Sequence, residues 1–344
     1  MTDARIGWAI GGLLGMDDHV LRTMDGGITW KDCSPPELAT AGSDSKTAIG
    51  TFQNTLFAWV TYANRSGSML AQAIVWHTQD GCETWRASHP LDLSGLRGDY
   101  VPSDLQFVSG QFGWLLVHVG VVMNHDYIAL FHSQDAGTNW TLLLDQYNTS
   151  GIMSCFKTGI LFTDATHGWL TGDCHGIANR LYLFRTNDAG ATWLPLTLPD
   201  PSGAQEQFSN GMTTCGAYHP FFFGKDLGHL SVLCAHYDLT PITYDYFVYT
   251  TKDGGNTWTS SDYPGEVLYF FSTDIGWVLS KNIQHTVDGG LTWKIISNVS
   301  WSVQVDFVSE QIGWGVARTG ELIALVKTTN GGVTWTELTP IVGP

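Results

Sequence analysis

Charge is scarce in this chain. Only 14% of its 344 residues are Asp, Glu, Lys or Arg, and the acidic residues outnumber the basic ones 32 to 16. A net charge of −16 argues against nucleic acid or an anionic membrane as partner, because both need a basic surface. No run of 18 apolar residues occurs, so no transmembrane helix is predicted. Amphipathic helical periods are missing as well. The apolar runs are short, rich in Val, Phe, Tyr and Trp, and bounded by Gly, Asp and Asn, which is the signature of strands. No His-x-x-x-His or comparable ligand spacing occurs, so no metal and no cofactor is expected. What the chain has in abundance is aromatic surface, 12% of residues including 15 Trp.

An eight-residue phrase, Ser/Thr-x-Asp-x-Gly-x-Thr-Trp, returns seven times, at Thr23–Trp30, Thr78–Trp85, Ser133–Trp140, Thr186–Trp193, Thr251–Trp258, Thr286–Trp293 and Thr328–Trp335. Its third positions are Asp25, Asp80, Asp135, Asp188, Asp253, Asp288 and Asn330, at spacings of 55, 55, 53, 65, 35 and 42. Units of that length hold four short strands and their turns. Asp or Asn accepts hydrogen bonds from backbone N–H groups just ahead, Gly supplies positive φ, and the Trp fills the wedge between sheets. These Asp residues are therefore read as structural: copies spread through the chain cannot serve one active site, and Asn330 keeps the acceptor without the charge. Cys82 in the Gly position and Asn139 in the Thr position depart from the pattern.

A second phrase, an aromatic strand leading to Gly-Trp, occurs at Phe107–Trp114, Phe162–Trp169, Phe271–Trp277 and Phe307–Trp314, with degenerate forms at Gly228-His229 and Thr55–Trp59. Together the phrases predict a four-strand unit, in the last repeat Val303–Val308 (a), Gly313–Ala317 (b), Glu321–Thr328 (c) and Trp335–Leu338 (d). The turn phrases resemble Asp-boxes, or BNR repeats, over essentially the whole chain. The Phe-x-Asp-x-x-x-Gly-Trp phrase at Phe162–Trp169 resembles the photosystem II assembly-factor-like propellers. Sialidases, sortilin-type receptors and xyloglucanases also carry Asp-boxes. The expected fold is all-β: a single seven-bladed β-propeller over 1–344, its four-stranded antiparallel blades near 1–45, 46–100, 101–150, 151–200, 201–263, 264–298 and 299–344, with Asp-box turns between strands c and d.

Met1–Trp8 aligns with Phe162–Trp169, so the chain enters midway through a blade. Either an export signal and a first strand were trimmed, or Thr339–Val342 closes the ring as the missing strand. Cys155 and Cys174, like Cys215 and Cys234, are 19 apart and sit 13 before and six after the Gly of their phrase, Gly168 or Gly228. Such positions face one another across an antiparallel hairpin, the geometry of a cross-strand disulfide, although two pairs of buried thiols would satisfy the same pattern. Disulfides would place the protein in an oxidising, extracytoplasmic setting. Cys33 and Cys82 show no such relation and are expected to be free. A monomer is expected.

Long connections are predicted at Pro90–Pro102, His118–Tyr127, Leu198–Pro220 and Ala235–Asp245, on the rim opposite the Asp turns, where binding and chemistry usually sit. On that rim blade three offers His118, His125 and Asp126, blade four Asp173 and His175, and blade five His219, His236, Tyr237, Asp238, Tyr244 and Asp245. His118, His175, His236, Tyr237, Asp173 and Asp238 are the candidates for acid–base chemistry, and His125, Asp126, His219, Tyr244 and Asp245 for ligand binding. Solvated loops would look similar. Trp59, Tyr62, Tyr100, Tyr237 and Trp301 are candidate sugar-stacking rings. His77, His132 and His285 share a repeat position with Arg22, Arg185 and Lys327 and are read as strand-edge polar residues.

A sialidase-like site would need three clamping arginines and a Phe/Tyr-Arg-Ile-Pro phrase, which the chain lacks. A xyloglucanase resembles two such propellers clasping a glucan, and one propeller lacks half of that cleft. The assembly factors imply a non-enzymatic scaffold for a protein partner, although they use a basic surface. The leading expectation is an extracytoplasmic binding propeller for a protein, peptide or carbohydrate. The alternative is a carbohydrate-active enzyme, hydrolase or lyase, with a His/Asp/Tyr site over blades three to five.

Overall fold

Glycine followed by an indole begins a strand, and each Asp-centred phrase joins the last two strands of a sheet. The computed structural model describes residues 1–12, 16–36, 44–123, 125–148, 151–174, 181–201, 213–237, 239–299 and 301–343. All regular elements among them are strands. The first sheet holds β1 (Gly7–Gly11), β2 (His19–Thr23), β3 (Thr29–Asp32) and β29 (Ile341–Gly343). The second runs β4 (Lys46–Phe52), β5 (Ala58–Asn64), β6 (Val75–Thr78), β7 (Arg86–Ala87), and the third β8 (Val101–Val108), β9 (Phe112–Val122), β10 (His125–Ser133), β11 (Thr141–Leu144). Next come β12 (Phe156–Phe162), β13 (Gly168–Asp173), β14 (Tyr182–Thr186) and β15 (Leu194–Pro195), each paired to its neighbour. The fifth group is β16 (Thr213–Ala217), β17 (Phe221–Phe223), β18 (Leu227–His236), β19 (Thr243–Thr251) and β20 (Thr259–Asp262). Two antiparallel sheets follow, β21 (Val267–Phe270) to β24 (Lys294–Asn298) through β22 (Gly276–Leu279) and β23 (Asn282–Thr286), and β25 (Ser302–Phe307) to β28 (Thr336–Leu338) through β26 (Gly313–Thr319) and β27 (Leu322–Thr328). The strands of that last sheet fall within two residues of the boundaries read from the sequence.

The chain divides into two compact units. One comprises Met1, Thr171–Leu183 and Leu196–Pro340; the other Thr2–Leu170, Phe184–Pro195 and Ile341–Pro344. Within each unit successive sheets meet through one recurring contact. The ring of the Gly-Trp phrase, or of its Ala58-Trp59 variant, lies flat on a phenylalanine from the first strand of the next sheet: Trp59 on Phe107 at 3.9 Å, Trp114 on Phe162 at 3.8 Å and Trp277 on Phe307 at 3.8 Å between centroids. Its indole N–H donates to a carbonyl of the next turn phrase, Ala136, Ala189 and Gly331 respectively. In the fifth group His229 takes the tryptophan's place and stacks on Phe270 at 3.9 Å.

The glycine preceding that ring has a steric cause. The phenylalanine opposite it on the first strand of its own sheet, the one that takes the preceding sheet's ring, lies over it, so a Cβ built on Gly113 would come 2.4 Å from Phe107, and one on Gly276 2.7 Å from Phe270. A side chain at Gly113 or Gly276 would overpack the wedge; the second sheet carries Ala58 at the equivalent place, opposite Phe52. The turn's own Trp completes the enclosure edge-on, as Trp140 does against Phe107 and Trp335 against Phe307. On the other face of the Gly-Trp ring sits the basic residue directly opposite on the neighbouring strand. Trp114 pairs with His132 and stacks on it at 4.9 Å, and Lys327 Nζ lies 4.6 Å from the Trp314 centroid. The residues read as edge polar groups are thus cross-strand ring partners. Burial holds His77, His132 and His285 below the ordinary histidine range, which keeps them neutral there.

The turn phrases bond as their composition requires. Asp25 Oδ1 accepts from the Ile28 and Thr29 N–H groups, Thr29 Oγ1 donates to Oδ2 at 2.6 Å, and Gly27 N–H donates to Thr23 Oγ1. Asn330 keeps the Oδ1 contacts and turns its Nδ2 to Thr334 Oγ1 at 2.9 Å.

Three expectations need correction. Cys33 and Cys82 are not free: they are disulfide-bonded, with Cα atoms 5.8 Å apart. Cys82 stands where the phrase has Gly, at φ +67°, which brings its Sγ beside the end of β3. Cys215–Cys234 is bonded, directly opposed on β16 and β18, and Cys155 and Cys174 are each disulfide-bonded too. The C-terminal segment does not lie beside β1. β29 runs parallel to β3 on the opposite edge of the first sheet, where Ile341 N–H donates to Ile28 O. His118–Tyr127 is mostly strand, and both ends of Ala235–Asp245 are strand, because alternating β-formers carry β9 and β10, and β18 and β19, well beyond the other hairpins.

Two outcomes follow for stability. Hydrogen bonds from Thr29, Thr84 and Thr292 hold Asp25, Asp80 and Asp288 at about 2. The unfolded chain takes up those protons nearer pH 4, so this contribution is complete above that pH and is lost as pH falls toward 2. Thermal melts across that window will show a falling midpoint; Asp288→Asn will melt within about 0.5 kcal/mol of the parent, and Asp288→Ala about 1 kcal/mol below it. Replacing Cys33 and Cys82 by serine will cost about 4 kcal/mol in denaturant titrations, the entropy of closing a loop that long.

Candidate functional site

A proline opens the fifth sheet. Pro220 has no N–H to give the ladder, so the first strand breaks into β16 and β17, and Tyr218 and His219 leave the regular pairing. Strand alternation then sorts the predicted residues. His236, opposite Thr243, and Asp245, opposite Cys234, share one face with the Cys215–Cys234 disulfide. Tyr244 and Tyr246 point to the other, opposite Ala235 and Leu233.

On the first face His236 Nε2 meets Asp245 Oδ2 at 2.7 Å, and Thr213 Oγ1 lies 3.3 Å from Nδ1. The imidazole is thus engaged at both nitrogens. On the second face Tyr218 donates to Asp173 Oδ2 at 3.4 Å. Asp173 fits there because Gly216 opposite has no side chain; a Cβ would stand 2.9 Å from its Cγ. Tyr246 and Tyr263 pack ring to ring at 5.5 Å, and the backbone N–H of Tyr263 donates to Tyr246 O. Tyr237 and Tyr244 are half exposed. Burial, reinforced by the Asp173 carboxylate, pushes the Tyr218 phenol up to about 12. Burial also raises Tyr246 and Tyr263. At neutral pH the Tyr218 phenol stays protonated, so this surface offers phenol donors and ring faces but no phenolate base.

Beyond Tyr246, Glu266 belongs to a cleft of about 540 Å3 between the sheets β21–β24 and β25–β28, which also takes in Lys281, Trp301, Gln304 and Arg318. The connections around it, Ser280–Asn282 and Arg318–Glu321, are short, unlike those in which the sequence placed the candidate residues. Of the candidate stacking rings, Trp59, Tyr62 and Tyr100 are buried in the core; Tyr237 is half exposed and Trp301 lines the cleft.

In the third sheet His118 Nδ1 meets Asp126 Oδ1 at 2.8 Å, both residues buried. Asp126 Oδ2 accepts from the Lys157 N–H, while Lys157 Nζ donates to the carbonyls of Asp126 and Cys155 at 2.7 and 3.1 Å. Desolvation brings that ammonium down to about 8. The cluster clamps β10 to the start of β12 and leaves no polar atom of Asp126 facing solvent. His125 lies on the exposed hairpin end, 6.3 Å from the Tyr127 ring. His219 sits half-buried beside Pro220. His175 and Asp238 lie outside the described residues. Among the described residues no three His, Cys, Asp or Glu side chains come together as metal ligands.

Sequence reasoning passed over Tyr218, Tyr246, Tyr263, Lys157 and the cleft. A signal for Tyr246 was present, since Tyr244 and Tyr246 are two apart in a strand.

No family model matches this chain, and no curated relative matches it in sequence. Among solved structures it is similar to YCF48 bound to D1 peptide, at 16% identity and a TM-score of 0.55 over 96% of this chain and 91% of that one. It is also similar to YCF48 from Cyanidioschyzon merolae, at 15% identity and a TM-score of 0.52 over 95% and 92%. The GH74 xyloglucanase from Xanthomonas campestris aligns at 12% identity and a TM-score of 0.49, over 97% of this chain and 59% of that one. The YCF48 likenesses show a shared propeller-like, all-β fold.

Spectrophotometric titration of the folded protein will leave part of its phenol absorbance unreleased beyond about pH 11, in keeping with Tyr218 near 12, and denaturant will bring the whole transition back to about 10.

Proposed function

We infer that this chain is a seven-bladed Asp-box propeller that binds a carbohydrate, peptide or protein ligand without catalysis. Its blades follow the seven turn phrases, and its ligand surface lies on the rim opposite the Asp turns. The observation that carries this reading is the sorting of the fifth sheet. His236 and Asp245 lie on one face, the tyrosines and Asp173 on the other, and the Tyr218 phenol stays protonated. Acid–base catalysis needs such groups within reach of one substrate atom; a binding surface needs ring faces and hydrogen-bond donors, which the tyrosine face has.

Bonded cysteines fit an oxidising, extracytoplasmic setting. Among the described residues no helix is long and apolar enough to cross a membrane. YCF48 bound to D1 peptide supplies a precedent for a peptide ligand on this fold, though a likeness at this identity carries only the fold. The second reading, a glycoside hydrolase or polysaccharide lyase, draws on the 2.7 Å His236–Asp245 contact.

Glycan and peptide arrays, run beside product-release assays on a polysaccharide panel, separate the two. The expected result is array binding that falls at least ~10-fold in Tyr237→Ala/Tyr244→Ala, with no product released. Release that disappears in His236→Ala would replace this reading with the enzymatic one.

A further inference from the structure

The cleft beside Glu266 has a composition unlike the rest of the molecule. The protein carries 16 basic residues against 32 acidic, yet two of the basic ones, Lys281 and Arg318, line this single recess with one acid. Among the described residues neither cation forms an ion pair. Both are exposed, so their charge costs little and is available. Trp301 is half-buried, its plane set by a T-shaped contact with Trp335 at 5.8 Å and 87°. Gln304 is an exposed amide at the start of β25. Leu279, Val299 and Val316 supply apolar wall between them.

These groups specify a ligand chemistry. The guanidinium of Arg318 matches a carboxylate or sulfate with two parallel N–H donors, while the amide of Gln304 and the carboxylate of Glu266 match sugar hydroxyls. An indole beside them suits the C–H face of a pyranose. The unpaired positive charge selects an anion in a protein whose field otherwise repels one. The volume, about 540 Å3, lies within the ordinary range for small-molecule and short-oligomer sites.

We propose that this cleft binds an acidic oligosaccharide, its carboxylate or sulfate held by Arg318 and Lys281 and one sugar ring packed on Trp301. The assignment rests on the ligand-binding reading above and deepens it: the anionic ring sits between β21–β24 and β25–β28, and the tyrosine face, reached past Glu266 and Tyr246, takes the continuing chain. A peptide is the less favoured occupant, because the polar groups that line the cleft are side-chain termini of the kind that read hydroxyls.

Isothermal titration calorimetry tests it with four probes: trigalacturonate, a sulfated disaccharide, neutral cellotriose and triglutamate. Saturable binding of one of the two anionic sugars is expected, with cellotriose and triglutamate at least ~10-fold weaker. The response of the two anionic probes distinguishes carboxylate from sulfate. R318Q/K281Q and Trp301→Ala are each expected to weaken it about 10- to 100-fold, while Lys225→Gln, at an exposed pair with Asp226, leaves it unchanged. Circular dichroism of each variant confirms that the fold is retained. Triglutamate binding as tightly as the sugars, or sugar binding indifferent to R318Q/K281Q, overturns the assignment. If the arrays find a ligand that this double variant still holds, the cleft assignment fails and the binding reading stands; if neither arrays nor calorimetry finds a ligand, both fail.

Discussion

A ring laid flat on a phenylalanine, with a glycine beneath that phenylalanine and a hydrogen bond from the indole into the next turn, is the contact on which the sheet-to-sheet packing rests. It brings together the two phrases that recur along the chain. The Asp-centred turn presents a carbonyl to the preceding sheet's indole and its own Trp edge-on to the phenylalanine. At Gly113, Gly168, Gly276 and Gly313 the phenylalanine occupies the space a Cβ would need, while the second sheet carries Ala58 opposite Phe52. Stacked and edge-on aromatic pairs contribute about 0.5–1.5 kcal/mol each beyond their buried area, and the pattern is met again and again within each unit. A packing scheme carried by rings explains how the chain manages with so few charges.

That scheme tolerates substitution where shape is conserved. His229 replaces a tryptophan and still stacks on Phe270, with Nδ1 and Nε2 hydrogen-bonded to Thr250 and to the Thr273 carbonyl. Asn330 replaces an aspartate and keeps the acceptor. Cys82 replaces a glycine, accepts the same left-handed backbone, and gains a disulfide to Cys33. Each departure preserves one physical requirement of its position, flat ring, acceptor or positive φ, and relaxes the others.

The fifth sheet shows how a site is fitted onto such a frame. Pro220 interrupts its first strand, Gly216 makes room for Asp173, and the rings of Tyr218, Tyr246 and Tyr263 gather where the ladder is broken. His236 and Asp245, close to those tyrosines in sequence, are separated from them by the thickness of the sheet. His118 and Asp126 are likewise spoken for, since the Lys157 clamp consumes them. The accessible polar chemistry therefore shifts toward the tyrosine face and the cleft at Trp301.

The repeat phrases by themselves determined the all-β architecture and the strand order within a sheet, and placed Cys215 opposite Cys234, because each depends on contacts a few residues apart or directly across a hairpin; that the two thiols are bonded was decided by the structure. That Tyr244 and Asp245 face opposite ways follows from strand alternation once the structure extends β19 back to Thr243, a stretch that the sequence alone assigns to a connection. Only the tertiary structure decided the rest. Cys33 and Cys82 meet because two sheets pack, and no local spacing encodes that approach. β29 settles on β3 rather than beside β1 because a terminal segment pairs with whichever edge it reaches. The cleft gathers Glu266, Lys281, Trp301 and Arg318 from separate sheets, and their convergence depends on how those sheets stand against each other, which local periodicity does not record.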